Sequence, residues 1–339
     1  MSLYRKHRPA SFGDVIGQEQ VVSVLEKQIK NSNINHAYLF SGSRGTGKTS
    51  VARIFARAIG TQSTDLYEID GASNNGVDEV RELREAVQTL PFQSKYKVYI
   101  IDEVHMLSKA AFNALLKTLE EPPAYVVFVL ATTEKNKLPE TIISRCQNFS
   151  FKKPHESDVR ELLILVAKKE EIELDKGSLA LIALLAEGSY RDALTILDKV
   201  LAVSKDKRIF VHEVEKITGA PSSVLVNQFL EALVTGDKKK AIGVIKDATD
   251  SHVDMRVFTK LILRSARFAM LLVLAADMRE FIKNEISDEE LVFLGSLGKG
   301  LEAKKLPNIL RALLKAYQEI SVAYIQSLPL ELIVAELPT

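Results

Sequence analysis

Residues 42–49 read GSRGTGKT, a segment whose residue types could bind a chain of phosphates. It fits the pattern G-x-x-x-x-G-K-[ST] throughout, and it lies between an apolar run (37–41) and an amphipathic one (48–59). Glycines let the backbone wrap closely around phosphates with its N–H groups pointing inward, and the start of the next helix adds partial positive charge. The pattern therefore predicts a nucleotide site in which Lys48 reaches the β and γ phosphates and the Thr49 hydroxyl binds Mg²⁺.

Two adjacent carboxylates, Asp102 and Glu103, end the apolar run VYIIDE (98–103). We expect this run to be a strand that delivers both side chains to the carboxyl edge of a parallel sheet, where open α/β sheets bind ligands. Asp102 is placed to hold Mg²⁺, directly or through water, and Glu103 to orient and polarise an attacking water. The pair stands about fifty residues after the phosphate-binding segment. Together, the two motifs predict that the protein hydrolyses a nucleoside triphosphate.

The elements that must position these residues alternate in type up to about residue 155. We expect strands at 37–42, 65–70, 97–102, 126–133 and 148–152, and helices at 18–31, 48–59, 77–89 and 108–120. Continuous apolar runs are typical of parallel strands that are buried on both faces. The first part of the chain is therefore predicted to be an α/β domain with a five-stranded parallel sheet and helices on both faces.

Helical periodicity replaces the β pattern after Pro154. Apolar residues recur at helical spacing in 158–167, 176–186 and 191–203, and every strong segment after about Pro221 is helical. The sequence Ser287-Asp-Glu-Glu290 has the pattern of a capping box at a helix start. We predict three domains, with bounds 1–155, 156–218 and 219–339.

Composition excludes several classes of protein. With 45 Lys+Arg against 44 Asp+Glu in 339 residues, the chain is not a strongly basic DNA binder. Cys146 is the only cysteine, which excludes an intramolecular disulfide framework and a multi-cysteine zinc site. The N-terminus MSLYRKHRPA lacks the apolar core of a signal peptide, and the apolar run 268–276 is too short to span a bilayer. We expect a cytoplasmic protein without membrane contact.

Several segments together resemble a known family. They are YRKHRPASFGDVIGQE, HAYLFSGSRGTGKTS, KVYIIDEVHMLSKAAFNALLKTLEEPP, FVLATTE, LPETIISRCQNF and GSYRDALTILD. They resemble the bacterial DNA polymerase III gamma/tau subunits, the ATPases of the sliding-clamp loader. The resemblance implies an α/β P-loop AAA+ domain followed by a helical lid and an all-α collar, which assembles a pentamer with ATP between neighbouring subunits.

The resemblance also assigns roles to single residues. Thr133, or Thr132 if the alignment shifts by one, resembles the residue that senses the γ-phosphate. Arg145 in Ser-Arg-Cys resembles the arginine finger that acts in trans on the neighbouring subunit's ATP, and Arg191 resembles the lid arginine that contacts the γ-phosphate. The residues expected to bind the nucleotide are Tyr4, Arg8, Pro9, Val15 and Ile16 around the adenine, and Gly42, Ser43, Arg44, Gly45, Thr46, Gly47, Lys48, Thr49 and Ser50 around the phosphates.

Some of these residues also have simpler interpretations. An arginine near a strand end is more often part of a surface salt bridge, although the motifs around Arg145 and Arg191 favour the functional role. For Tyr4 and Arg8 a structural role and a role in nucleotide binding are equally favoured. For His105 we expect a structural hydrogen bond rather than catalysis, and for Cys146 a small buried apolar side chain.

The chain departs from its apparent family at two places. The family usually inserts a four-cysteine zinc module where AIGTQST here leads directly into DLYEID, so no zinc is expected. In GASNNGVDEV (71–80), Asn74, Asn75 and Gly76 replace basic residues that approach DNA. Backbone N–H groups of a helix starting near Val77 could still contact phosphates.

The sequence therefore predicts an ATP-hydrolysing motor subunit of a clamp loader. Its expected partners are other clamp-loader subunits in a hetero-pentamer, the sliding clamp, and primer–template DNA bound by phosphate contacts. Two alternatives are a non-hydrolysing structural subunit, the stator, and another AAA+ DNA motor such as a branch-migration helicase. Because the chain stops at Thr339, about where the collar should end, a C-terminal extension for polymerase and helicase contacts is expected to be missing.

Overall fold

A computed structural model of the chain describes residues 2–73, 83, 85–204, 206–275, 277–297 and 305–336. By its contacts the chain divides into two compact units. The first comprises Met1–Leu163 and Ala186–Thr195, and the second comprises Ile164–Leu185 and Ile196–Thr339.

The strands and helices are as follows, in chain order. The strands are β1 Ala37–Ser41, β2 Leu66–Asp70, β3 Lys97–Asp102, β4 Val126–Thr132, β5 Gln147–Ser150, β6 Glu173–Leu174 and β7 Arg208–Ile209. The helices of the first half are α1 Leu3–Lys6, α2 Glu19–Lys30, α3 Lys48–Ala58, α4 Lys109–Glu120, α5 Glu140–Ile143 and α6 Glu156–Glu170. Those that follow are α7 Lys176–Leu185, α8 Tyr190–Val203, α9 Val211–Thr218, α10 Ser223–Thr235, α11 Lys238–Asp250, α12 Met255–Leu274, α13 Met278–Lys283, α14 Asp288–Leu297, α15 Leu306–Glu319 and α16 Leu328–Glu336.

A parallel sheet forms the centre of the first unit, with strand order β2-β3-β4-β1-β5. Strand β4 therefore lies between β1, which leads into the glycine-rich segment, and β3, which ends at Asp102. Because parallel strands end at the same edge of a sheet, this order brings the ends of β1, β3 and β4 together.

Both faces of this sheet are covered. One apolar cluster contains Leu25 of α2, Phe55 of α3 and the strand residues Tyr38 and Phe40. A second cluster on the other face contains Leu115 of α4 and further strand residues, among them Tyr99, Ile101 and Phe128. Alternate residues of each strand thus serve opposite faces, which is why these strands are apolar throughout. The predicted five-stranded parallel sheet with helices on both faces is confirmed.

The second unit is built mainly from helices. Helices α10 to α16 share one apolar core, in which Phe229, Phe258, Leu294, Leu313 and Leu330 are fully buried. The short parallel pair β6–β7 was not expected, because two residues are too few for a strand pattern to show. Within the described part of the chain, none of the helices combines the length and the apolar composition needed to cross a bilayer.

Two local predictions have a different outcome. At Ser287–Glu290 only half of the capping box forms: the Glu290 N–H donates to Ser287 Oγ at 3.2 Å, while the Glu290 carboxylate accepts a hydrogen bond from Ser265 Oγ at 3.4 Å. Of the expected helix 77–89, the structure describes residues 83 and 85–89; residues 83 and 85–87 are helical, whereas 88 and 89 are not. Asn74, Asn75, Gly76 and Val77 lie outside the described residues.

Candidate functional site

The glycine-rich segment connects β1 directly to α3. The buried side chain of Lys48, the first residue of α3, folds back so that Nζ donates to the carbonyl oxygens of Gly42 and Ser43, each at 2.8 Å. Thr46 Oγ1 donates to the Ser43 carbonyl at 3.0 Å and tightens the same loop. Burial lowers the pKa of Lys48, while the nearby carboxylates of Glu103 and Asp102 act in the opposite direction. The ammonium group is thus held inside the loop, where a phosphate chain would be bound.

Two glycines of this loop have left-handed backbone for different reasons. Gly45 has φ +76°, and a Cβ there would come within 2.0 Å of Ser189 Oγ. Gly47 has φ +98°, and a Cβ there would have no described atom within 4 Å. Gly45 is therefore required by close packing, whereas Gly47 is required by the turn that starts α3.

The structure brings together Thr49 and Asp102, the two residues that are expected to hold Mg²⁺. Thr49 Oγ1 donates to Asp102 Oδ2 at 2.7 Å, and Asp102 Oδ1 accepts the Glu103 N–H at 3.0 Å. A hydroxyl oxygen and a carboxylate oxygen in contact are the hard ligands that Mg²⁺ prefers, so these two residues fit a magnesium site.

Glu103 occupies a strained position immediately after β3. Its backbone is left-handed, with φ +47° and ψ +45°, a conformation that costs a non-glycine residue about 1–3 kcal/mol. Its carboxylate accepts a hydrogen bond from Thr133 Oγ1 at 3.0 Å. The neighbouring Thr132 is fully buried, and its hydroxyl accepts the Glu134 N–H at 3.0 Å. Of the two threonines considered as the γ-phosphate sensor, Thr133 is the one whose hydroxyl contacts Glu103.

The segment 188–191 packs against the glycine-rich loop. The Tyr190 N–H donates to the Gly45 carbonyl at 3.0 Å, and the Tyr190 hydroxyl donates to the Ile16 carbonyl at 2.8 Å. The guanidinium of Arg191 lies over the ring of Tyr4, 4.8 Å from its centroid. The predicted phosphate loop, adenine segment and lid arginine therefore lie within one compact unit.

The other residues of the predicted adenine segment are half-buried. Val15 packs against the apolar cluster of α2 and α3, and Ile16 contributes its carbonyl to Tyr190 as described. Burial lowers the pKa of Arg8, and the positive charge of Arg53 lowers it further. Pro9 is half-buried beside Arg8, whereas Ser43 and Arg44 of the phosphate loop are exposed and Ser50 is half-buried.

Arg145 lies on the surface of the first unit, just after α5. Its Nη2 contacts Glu120 Oε1 at 2.8 Å, and its Nη1 donates to the Thr141 carbonyl at 2.8 Å. The side chains of Arg145 and Glu120 are 34% and 49% exposed. Exposed ion pairs of this kind contribute about 0–1 kcal/mol, so the guanidinium can change partner at little cost.

Cys146 and His105 have the local surroundings that the sequence predicts, a buried site for the thiol and a hydrogen bond for the imidazole. Cys146 is buried, and burial raises the pKa of its thiol to about 12, so the thiol is not activated. His105 is buried and hydrogen-bonds through Nδ1 with Thr132 Oγ1 at 3.0 Å.

Sequence reasoning missed three residues that shape the site. Ser189 and Tyr190 contact Gly45, and Gln18 joins the adenine segment to Lys152 through two hydrogen bonds at 2.8 and 3.1 Å. Ser189 and Tyr190 stand directly before Arg191, and this neighbourhood could have indicated their place at the site. Nothing in the sequence indicates the role of Gln18, because its partner is 134 positions away.

Three family models match consecutive parts of this chain. The model for the DNA polymerase III delta subunit matches residues 17–76 and 61–155, and the clamp-loader ATPase lid domain matches 158–206. Domain III of DNA polymerase III subunits gamma and tau matches 209–337. The chain is also 38% identical to DNA polymerase III subunit tau of Bacillus subtilis, over 94% of its own length and 60% of that protein's. The chain belongs to the DNA polymerase III gamma/tau family.

Other relatives agree with this membership. The chain is 40% identical to the tau subunit of Escherichia coli, over 74% of this chain and 42% of that protein. It thus spans less than two thirds of the length of the curated relatives. Among solved structures, the Thermotoga maritima RuvB Holliday junction branch migration motor has a TM-score of 0.53 at 24% identity, covering 67% of this chain and 79% of that one. Together with the match of the clamp-loader ATPase lid domain, this similarity confirms the AAA+ fold.

Proposed function

We propose that this chain is an ATP-hydrolysing motor subunit of the bacterial clamp loader. It would open the sliding clamp and load it onto primer–template DNA during replication. The observation that carries the proposal is the contact of Thr49 with Asp102, beside Lys48 in the loop and Glu103 on its strained backbone. These are the parts that phosphoryl transfer needs in a P-loop enzyme.

Each residue of this group would have a distinct role. Lys48 would leave the loop carbonyls and neutralise charge on the β and γ phosphates, and backbone N–H groups of residues 43–50 would surround the phosphate chain. Glu103 would accept a proton from the attacking water and orient it. Thr49 and Asp102 would hold Mg²⁺, which when bound would offset charge on the phosphate oxygens.

Thr133 and Arg191 would report the presence of the γ-phosphate. The Thr133 hydroxyl, which donates to Glu103, could donate to a phosphate oxygen instead and so release the base. Arg191 is presented from the segment that contacts Gly45, so a contact between its guanidinium and the γ-phosphate would tie lid position to nucleotide state. The adenine would lie along Tyr4, Arg8, Pro9, Val15 and Ile16.

Arg145 would act in trans on the ATP of a neighbouring subunit. Its exposed guanidinium and weak ion pair with Glu120 leave it available to another chain. Arginine fingers of this kind stabilise transition-state charge and raise rates by about 10³–10⁵. We infer a hetero-pentamer with other clamp-loader subunits, phosphate contacts to DNA, action in the cytoplasm, and three domains at 1–155, 156–218 and 219–339.

The proposal is tested by ATP binding and hydrolysis with and without partner subunits, clamp and primed DNA. Lys48→Ala should abolish ATP binding, and Glu103→Gln should bind ATP without hydrolysing it. Arg145→Ala should bind ATP and lose hydrolysis only in the assembly. Hydrolysis by the assembly that is unaffected by Arg145→Ala would show that the finger assignment is wrong.

The same measurements separate the alternatives. If the chain were a stator, Lys48→Ala and Glu103→Gln would leave hydrolysis by the assembly unchanged, although Lys48, Thr49, Asp102 and Glu103 are all present here. A branch-migration motor would hydrolyse ATP with DNA alone and would not respond to the clamp. The match of gamma and tau domain III over 209–337 favours the clamp loader over that motor.

A further inference from the structure

His105 lies between two carboxylates beside the proposed base. It is in the 3₁₀ turn Val104–Met106, directly after the left-handed Glu103, and its side chain is only 6% exposed. Its Nδ1 lies 3.0 Å from Thr132 Oγ1 and 3.5 Å from Glu103 Oε2. Its Nε2 lies 3.4 Å from Glu134 Oε1. Both ring nitrogens thus face polar groups, and one of them faces the carboxylate of Glu103.

The ring is held by the end of the neighbouring strand rather than by its own turn. Thr132 ends β4, and its hydroxyl oxygen is fixed by the N–H of Glu134 at 3.0 Å. Because His105 contacts that hydroxyl, its imidazole is tied to the end of β4 while its backbone follows β3. Burial of the imidazole between these strand ends restricts its rotation.

The Glu103 carboxylate meets two groups at the same oxygen. Oε2 accepts the hydrogen bond of Thr133 at 3.0 Å and lies 3.5 Å from His105 Nδ1. The proposed sensor, Thr133, would turn to the γ-phosphate when ATP is bound. His105 would then remain beside the Glu103 carboxylate, because its other contacts are to Thr132 and Glu134 within the protein.

We propose that His105 is a positioning residue for Glu103, with its Nδ1 edge fixing the orientation of the carboxylate toward the attacking water. This inference rests on the proposed ATP hydrolysis and adds a residue to it. A base must lie within hydrogen-bond reach of the proton that it removes, and small misplacements of reacting groups can cost about 10²-fold in rate. A ring that only fills space would leave the rate unchanged when a side chain of similar size replaces it.

Two amides test which edge of the ring matters, because Asn places a polar nitrogen near Nδ1 and Gln places one near Nε2. His105→Asn, His105→Gln and His105→Ala are compared in the full chain within its assembly, measuring single-turnover hydrolysis and the Kd for ATP. We expect Asn to keep the rate within about threefold and Gln and Ala to lose about tenfold or more, each with the Kd for ATP within about threefold. Glu134→Gln, which keeps a side chain of the same size beside Nε2 and loses the charge that faces Nε2 and Lys137, leaves the Nδ1 side unchanged and is the control; it should have little effect.

Other outcomes would overturn the inference. If Gln and Ala hydrolyse ATP at the wild-type rate, His105 does not position the base. If Asn and Gln are equally slow, Nδ1 is not the atom that acts. If the variants lose ATP affinity and melting temperature together, the role of the ring is structural, and Asn and Gln decide this even if Ala fails to fold.

A double-mutant cycle with Glu103→Gln gives an independent readout. Glu103→Gln shows no turnover in the steady state, so the cycle uses the slow single-turnover rate that is left without the base. If His105 acts through Glu103, adding His105→Gln should reduce that rate by less than about twofold. A full multiplicative loss would mean that the two residues act separately. If Lys48→Ala and Glu103→Gln leave hydrolysis unchanged, the proposed function itself is wrong, so the two failures are distinguishable.

Discussion

At the scale of single residues, the central sheet contains two buried tyrosines with opposite situations. Tyr38 Oη accepts the Asn35 N–H at 2.9 Å, whereas Tyr99 Oη, fully enclosed, has no hydrogen-bond partner among the described residues. The Tyr99 ring itself is well placed, stacked between Tyr67 and Phe128 with centroids 4.9 and 5.5 Å away. The ring of Tyr99 therefore stabilises the folded state, whereas burial of its hydroxyl destabilises it.

Tyr99→Phe should raise the free energy of unfolding by about 1 kcal/mol, because it removes a buried hydroxyl that has no partner among the described residues and keeps the stacked ring. Tyr38→Phe, the matched control, should lower it by about 0.5–1.5 kcal/mol, because the Asn35 N–H loses its acceptor. Urea unfolding of both variants measures the difference. A Tyr99→Phe chain less stable than the wild type would mean that the hydroxyl has a favourable interaction.

Asp65 predicts a pH dependence of stability. It is buried and accepts the N–H groups of Phe92, Gln93 and Ser94 at 2.6, 2.9 and 2.8 Å. Burial alone would raise the pKa of Asp65, but these hydrogen bonds, that of Gln93 first, lower it overall. Because the folded pKa lies below the unfolded one, the stabilisation is present above about pH 4 and is lost as the pH falls through the folded pKa.

Asp65→Asn should therefore lower the free energy of unfolding by about 1–3 kcal/mol at neutral pH, because one acceptor oxygen becomes a donor facing an N–H. The difference from the wild type should shrink as the pH is lowered below about 4. Urea unfolding across this range measures it. Asp254→Asn, at the start of α12, is the control, because Asn caps a helix about as well as Asp. A difference that is independent of pH would contradict the assigned charge state.

The residues that sequence could identify are those whose motif is local. Lys48 and Thr49 stand within eight consecutive residues of one pattern, and Asp102 and Glu103 stand together at the end of one apolar run. Tyr190 was missed because its hydroxyl bonds a carbonyl 174 positions away. His105 was expected only to make a structural hydrogen bond, since its place between Glu103 and Glu134 depends on how β3 and β4 are paired.

At the scale of elements, the strands followed from their apolar runs but their order did not. Period and composition locate β1, β3 and β4, and the insertion of β4 between the other two appears only in the pairing of β4 with both. That order places the Thr132–Thr133 end of β4 beside Asp102 and Glu103. The packing of the segment 188–191 on the loop after β1 is likewise a tertiary feature, and it explains why Gly45 is a glycine.

Gly45→Ala should destabilise the first unit by more than the roughly 1–2 kcal/mol of a left-handed alanine, because its Cβ would also meet Ser189 at 2.0 Å. Gly60→Ala, at φ +86° with no described atom within 4 Å of its Cβ, should show the backbone cost alone. Adding Ser189→Gly should recover part of the stability lost in Gly45→Ala. Thermal unfolding of the four chains measures this, and the absence of any recovery would show that the contact is not the cause.

At the scale of the whole molecule, the proposed active site is divided between chains. Lys48, Thr49, Asp102 and Glu103 belong to one compact unit, while Arg145 is tied on the surface of that unit by an exposed ion pair. A head-to-tail interface joins different surfaces of identical chains, so each chain can offer its finger to one neighbour and receive one from another. The arrangement predicts that two variants, each inactive alone, complement each other when they are mixed in one assembly.

Glu103→Gln lacks the base but keeps the finger, and Arg145→Ala keeps the base but lacks the finger. Assemblies formed from an equal mixture should regain hydrolysis, because about a quarter of neighbouring pairs of this chain join an intact base to an intact finger. The double variant Glu103→Gln/Arg145→Ala, mixed with a Lys48→Ala chain, is the control and should stay inactive, since neither chain then combines an intact phosphate loop with an intact base. Steady-state ATPase of the mixed assemblies measures the recovery. A mixture that is no more active than its separate components would indicate that Arg145 and Glu103 act on the ATP of the same chain. The proposal of a site shared between chains would then be wrong.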